Sequence, residues 1–120
     1  MQGIRLAICA IACAFLVAGV ANADRKPTGK EHRQIAKAMK LPPRCTRVRV
    51  STVVSNPSWA SLSFKPGRKC KRFAANGVAI LEKRPGGRWK FVTAGSSFDC
   101  GPLYEQVPQP VVQDLGISCI

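Results

Sequence analysis

Four cysteines, Cys45, Cys70, Cys100 and Cys119, constrain this chain more than any other feature, because they follow an export signal. Met1 to Arg5 carries one positive charge, Leu6 to Val20 is an unbroken run of apolar or small residues, and Ala21-Asn22-Ala23 precedes charged Asp24-Arg25-Lys26. This three-part layout is that of a secretory signal peptide (residues 1–23) with a small-residue cleavage site. Residues 24–120 are therefore expected as a single secreted domain in an oxidising compartment. A retained anchor is the rival reading, since Ile4 to Ala23 is long enough to cross a bilayer; the Ala-x-Ala step and Gly19 favour cleavage. Cys9 and Cys13 read as ordinary small residues of the apolar run.

Spacings of 25, 30 and 19 residues separate the four exported cysteines. Two disulfides are expected, and four cysteines allow three pairings. Cys45 with Cys70 and Cys100 with Cys119 are favoured because each closes a local loop, worth about 3 kcal/mol by loop-closure entropy. A domain of this size buries only roughly 60 to 65 % of its unfolded surface, so such staples suit it. A zinc site lacks any Cys-x-x-Cys and has only His32 to draw on, so no metal and no cofactor are expected.

The exported part opens with a helix. Thr28 followed by Glu31 is a capping-box pair and Pro42-Pro43 cannot continue a helix, which bounds one from about Gly29 to Lys40. His32, Ile35 and Met39 share one of its faces, and Lys30, Arg33, Lys37 and Lys40 share another. From Cys45 the period changes to two. Arg47 to Val53 alternates, as does Trp59 to Phe64, with Ala60, Leu62 and Phe64 opposite Trp59, Ser61 and Ser63. Val78 to Leu81 is apolar on both faces, which suits a central strand, and Pro85-Gly86-Gly87 turns the chain into a strand from Trp89. Ala94 to Ile120 is rich in Gly and Pro, has little apolar periodicity beyond a short helix over Pro110 to Leu115, and is expected as a disulfide-closed appendage. The fold class is α+β: an N-terminal helix packed on a four-stranded antiparallel meander, with a disulfide-closed C-terminal segment.

Several of these stretches carry a resemblance. Val50-Ser51-Thr52-Val53 with Pro57-Ser58-Trp59-Ala60, Pro85 to Trp89, Gly95 to Cys100, Val107-Pro108 and Asp114-Leu115 to Cys119 resemble small secreted actinobacterial proteins of unassigned function. The resemblance covers most of the exported part. It implies export, two disulfides and a bacterial envelope or exterior setting, and it transfers no catalytic or binding residue.

Catalytic chemistry finds little to work with. His32 is the only histidine, and its place beside Ile35 and Met39 suits a packed, hydrogen-bonded ring. The serines have no second histidine to activate them. Among six acids, Glu31 serves the helix cap and Glu82 lies among Lys83 and Arg84. Asp99 and Glu105 would flank a cysteine-closed loop as a carboxylate pair, but solvation or local cations explain them more simply. No phosphate-binding glycine loop opens a helix. A non-enzyme is expected.

Charge is the departure from average that asks for a partner. The chain has 19 Lys and Arg against 6 Asp and Glu, a formal net charge of +13. Arg44, Arg47 and Arg49 start the sheet, Lys65, Arg68, Lys69, Lys71 and Arg72 crowd around Cys70, and Lys83, Arg84, Arg88 and Lys90 bracket the hairpin turn. A Cys45–Cys70 bridge would set the second cluster beside the first, where like charges repel unless an anion offsets them. Binding to an anionic extracellular or envelope surface is the leading expectation, through Arg47, Arg49, Arg68, Lys69, Lys71 and Arg72. The partner would be an anionic envelope polymer or lipid headgroup, with Trp59 adding stacking. Sequence-specific nucleic-acid binding is disfavoured, since no nucleic-acid motif is present. Two alternatives are a protease inhibitor presenting the basic loop 66–70, and an envelope module docking on another protein through Trp59 and Tyr104. Solubility alone is the plainest account of the charge.

Overall fold

The computed structural model describes residues 24–54 and 57–120. The signal segment expected over 1–23 lies outside the described residues. No helix among the described residues is long and apolar enough to cross a membrane.

Helix α1 spans Gly29–Ala38 and starts as its capping box requires. Thr28 Oγ1 accepts the Glu31 amide at 3.1 Å, and Glu31 Oε1 accepts the Thr28 amide at 2.9 Å. The helix stops two residues before the expected Lys40, because Lys40 turns into the left-handed region at φ 56°. The Leu41 amide then returns to the Ala36 carbonyl at 3.0 Å.

Strands β1 (Thr46–Val50), β2 (Trp59–Phe64), β3 (Val78–Lys83) and β4 (Trp89–Gly95) form one antiparallel meander in the order β1-β2-β3-β4. Register pairs Val48 with Leu62, Leu62 with Ala79 and Ala79 with Ala94. The ladder between β3 and β4 shifts at Ile80 and Leu81, which leaves Val92 without a register partner. Such a bulge sharpens local twist. Strand periodicity sends Val48, Val50, Ala60, Leu62, Ala79, Leu81 and Trp89 to one face, where they bury against Ile35 with Met39 and Leu41 beside them. Ile35 is fully buried, worth roughly 1.5 to 3 kcal/mol for such a side chain.

The C-terminal segment departs from the expected appendage. Helices α2 (Cys100–Gln106) and α3 (Gln109–Asp114) lie on the second face of the sheet. Leu103, Val107, Val111, Val112 and Leu115 bury Trp59 and Ile80 there, so the sheet carries helices on both faces. Pro108 is the reason for two short helices in place of one, since a proline ring clashes within a continuing helix. Trp59 occupies the face opposite Ala60 and Leu62 but is only 4 % exposed. It is therefore unavailable both for stacking on a surface ligand and as a docking anchor.

The disulfides join Cys45 to Cys70 and Cys100 to Cys119. The second ties the start of α2 to the chain end, and backbone bonds from Cys100 N to Ile120 O and from Ile120 N to Phe98 O, at 3.1 and 2.9 Å, close the same loop. The N-terminal segment is also built in. Arg25 pairs with Val50 as a single antiparallel bridge on the β1 edge, and its guanidinium holds both Glu31 oxygens at 2.8 Å.

Candidate functional site

The basic loop after β2 folds into a 3-10 turn over Arg68–Phe73. In such a turn residues i and i+3 eclipse, so the sequence RKCKRF sorts into three ridges. Cys70 is buried and Phe73 half-buried, which makes theirs the inner ridge, fastened to Cys45. Lys69 and Arg72 form a second ridge, and Arg68 with Lys71 a third; all four are exposed. Helical periodicity thus pairs like charges side by side.

The disulfide sets the second ridge against Arg44. Pro42, Arg44, Lys69, Arg72 and Phe73 line an open cleft of about 530 Å³. The Arg72 guanidinium lies over the Phe73 ring, 4.7 Å from its centre. This geometry uses the ring's negative face to hold a cation in place. Three cations and no carboxylate line the cleft.

The acids lie elsewhere, and four of the six are paired or hydrogen-bonded. Glu31 pairs with Arg25 at 2.8 Å, Glu82 with Arg84 at 3.2 Å, and Asp24 with Arg49. Asp114 accepts from Ser51 and Thr52, while Asp99 and Glu105 are exposed at the cap and within α2. Among the described residues no ion pair reaches Arg44, Arg47, Arg68, Lys69, Lys71 or Arg72.

The six cations singled out from sequence are not brought to one place. Lys69 and Arg72 line the cleft just described; Arg68 and Lys71 project from the neighbouring ridge. Arg47 and Arg49 line a separate cleft of about 420 Å³ with Lys26, Pro27, His32, Thr46, Val48 and Lys65. Arg49 differs from the rest, since its Nε donates to Asp24 Oδ1 at 2.8 Å and its Nη2 to the Asp24 carbonyl at 2.9 Å. Arg44 also lines the first cleft, although it lies outside the six cations expected to make the contact. Its adjacency to a bridged cysteine was the available signal.

His32 is held in one role. Its Nε2 lies 2.8 Å from Thr46 Oγ1, and that hydroxyl gives its single proton to the Pro43 carbonyl at 2.9 Å. The histidine must therefore donate from Nε2. No group of three or more His, Cys, Asp or Glu side chains among the described residues is placed to hold a metal ion. The Arg68–Cys70 backbone is coiled, not in the extended form that strand-like docking needs. No protein-family model matches this chain, and no curated protein or solved structure matches it.

Proposed function

We propose that this chain is a secreted, non-catalytic binder of an anionic polymer at an extracellular or cell-envelope surface. The observation that carries the reading is the convergence of Arg44, Lys69 and Arg72 on one cleft with no acid beside them. Holding like charges together in a disulfide-fixed turn is costly in itself, and an anion offsets the cost. Ring stacking on Phe73 limits the freedom of Arg72, so less entropy is lost when it meets a ligand. The export signal, the two disulfides and the resemblance to small secreted actinobacterial proteins support the setting.

The test compares the oxidised protein with the same chain reduced, alkylated and unfolded, binding to polyphosphate and polygalacturonate, with dextran as neutral control. Side-chain charge is the same in both, so any difference isolates the fold. The folded form should bind the polyanions more tightly, with affinity falling steeply as salt rises. Changing Arg44, Lys69 and Arg72 together to Ala should lower the logarithmic salt slope by about 3, by analogy with phosphate-backbone binding. Equal binding by the folded and unfolded chains would sink the reading.

A further inference from the structure

A third cleft lies on the face of the sheet that α2 and α3 cover only in part. It arises from small residues in register. Ser63 of β2 pairs with Val78 of β3, and Val78 with Gly95 of β4; Ser61 sits two residues before Ser63 on the same face. A central strand ordinarily carries large apolar residues at such positions. Gly77, at φ 106°, precedes Val78, and a Cβ there would come within 2.5 Å of the Gly95 carbonyl. Glycine at 77 is therefore required for the close approach of the chain before β3 to the end of β4 beside the hollow.

The cavity holds about 300 Å³ and is bounded by Arg49, Ser61 and Ser63 on the sheet, by Phe98, and by Leu115 to Ser118 of the C-terminal segment. That volume is at the low end for ligand sites, with room for one ring. Ser61 is only 8 % exposed, yet neither its hydroxyl nor that of Ser63 has a side-chain hydrogen bond within the protein among the described residues. The fully enclosed unpartnered side-chain atoms among the described residues are the Trp59 and Trp89 indole nitrogens, so the Ser61 hydroxyl opens to the cavity and is free to bond a group that enters it. Arg49 presents N–H groups, but its charge is already met by Asp24. Among the described residues no other ionisable side chain lines the cavity. Phe98, Val78 and Ile117 supply apolar wall.

Two hydroxyls on one strand face able both to donate and to accept, a charge-compensated guanidinium and an aromatic wall match one ligand chemistry. We propose that this cleft binds a single neutral sugar ring. Its hydroxyls would exchange hydrogen bonds with Ser61, Ser63 and Arg49, and its apolar face would lie toward Phe98. A free carboxylate fits less well, because Asp24 neutralises the Arg49 guanidinium. The site is separate from the cleft of Arg44, Lys69 and Arg72 and is independent of its role.

The test is an amide-shift titration of the oxidised protein with methyl glucosides, galactosides and mannosides and with N-acetylglucosamine, beside propionate and benzoate. The expected result is a saturable shift of the Ser61, Ser63, Gly77, Gly95 and Gly116 amides with at least one sugar. It should persist in about 1 M salt, where charges are screened beyond roughly 3 Å. Ser61→Ala should weaken that binding about five- to tenfold, the loss expected for one hydrogen bond, while leaving thermal unfolding in place as the check on folding. Silence with every sugar, a response to the carboxylates in place of the sugars, or unchanged affinity in Ser61→Ala would each overturn the proposal. Polyanion binding plays no part in any of these outcomes.

Discussion

The Asp114 carboxylate accepts the Thr52 amide at 2.7 Å and so fastens the end of α3 to the chain just beyond β1. It also accepts Ser51 Oγ at 2.8 Å and Thr52 Oγ1 at 3.0 Å. Asp114→Ala would leave these donors without their acceptor and should destabilise the protein by about 2 to 3 kcal/mol. Asp114→Asn keeps one acceptor oxygen and should lose less. Urea denaturation of the three proteins ranks them.

Acid should unfold the protein through two carboxylates. Hydrogen bonds from Arg25 hold the Glu31 carboxyl down at about 2, against a smaller opposing effect of burial. At Asp114 burial pushes upward, but hydrogen bonds from Ser51, Thr52 and Val53 outweigh it and the carboxyl ends below its ordinary value. Depressed carboxylates stabilise above their unfolded values, near 4, and that stabilisation is lost as pH falls through the folded values. The urea midpoint should be flat from about pH 7 to 5 and drop toward pH 2. Glu31→Gln should lower stability near neutrality and flatten the acid limb; an unchanged limb would remove Glu31 from the account.

The sheet was legible in sequence because β1 and β2 alternate with a period of two, β3 is apolar on both faces as a central strand is, and Pro85-Gly86-Gly87 marks the turn into β4. Trp59 to Phe64 forms β2 with the faces the alternation assigns, and Thr28 with Glu31 marks the start of α1. The second layer was not legible. Leu103, Val107, Val111 and Leu115 repeat every four residues, but Pro108 and Pro110 split the pattern into helices too short to stand out by periodicity. With that layer unseen, Trp59 reads as exposed and Ser61 with Ser63 as a wet strand face. The basic loop was legible as a charge cluster; its three ridges follow from a 3-10 pitch that composition does not encode.

Arg49 and Arg72 should separate stability from binding. Arg49 is tied to Asp24, so Arg49→Ala should cost about 1 kcal/mol of stability, the upper end for a partly exposed pair. Its effect on polyanion affinity should be small. Arg72 has no acidic partner among the described residues, so Arg72→Ala should weaken polyanion binding and change the unfolding free energy by no more than about 1 kcal/mol, the share of its contact with Phe73. Paired denaturation and binding curves on both variants check the crossing pattern.

Tryptophan fluorescence offers an independent check of the second layer. Trp59 and Trp89 lie on opposite faces of the sheet, 4 % and 7 % exposed, and neither indole N–H has a partner among the described residues. Both should emit at short wavelength and resist acrylamide, with Trp59→Phe leaving polyanion affinity unchanged. Strong quenching of a Trp89→Phe variant, in which Trp59 is the sole reporter, would mean that α2 and α3 do not cover the sheet.

The position of α2 and α3 also sets an order on synthesis. All four strands and α1 precede residue 100 in the chain, so the inner face can close before the C-terminal segment is delivered. Trp59 and Ile80 stay bare until Leu103 to Leu115 emerge, and the Asp114 tether to Ser51 and Thr52 must wait for nearly the whole chain. A nascent chain halted at the hairpin would expose an adhesive apolar sheet face. The last twenty residues therefore shield the product as well as complete it.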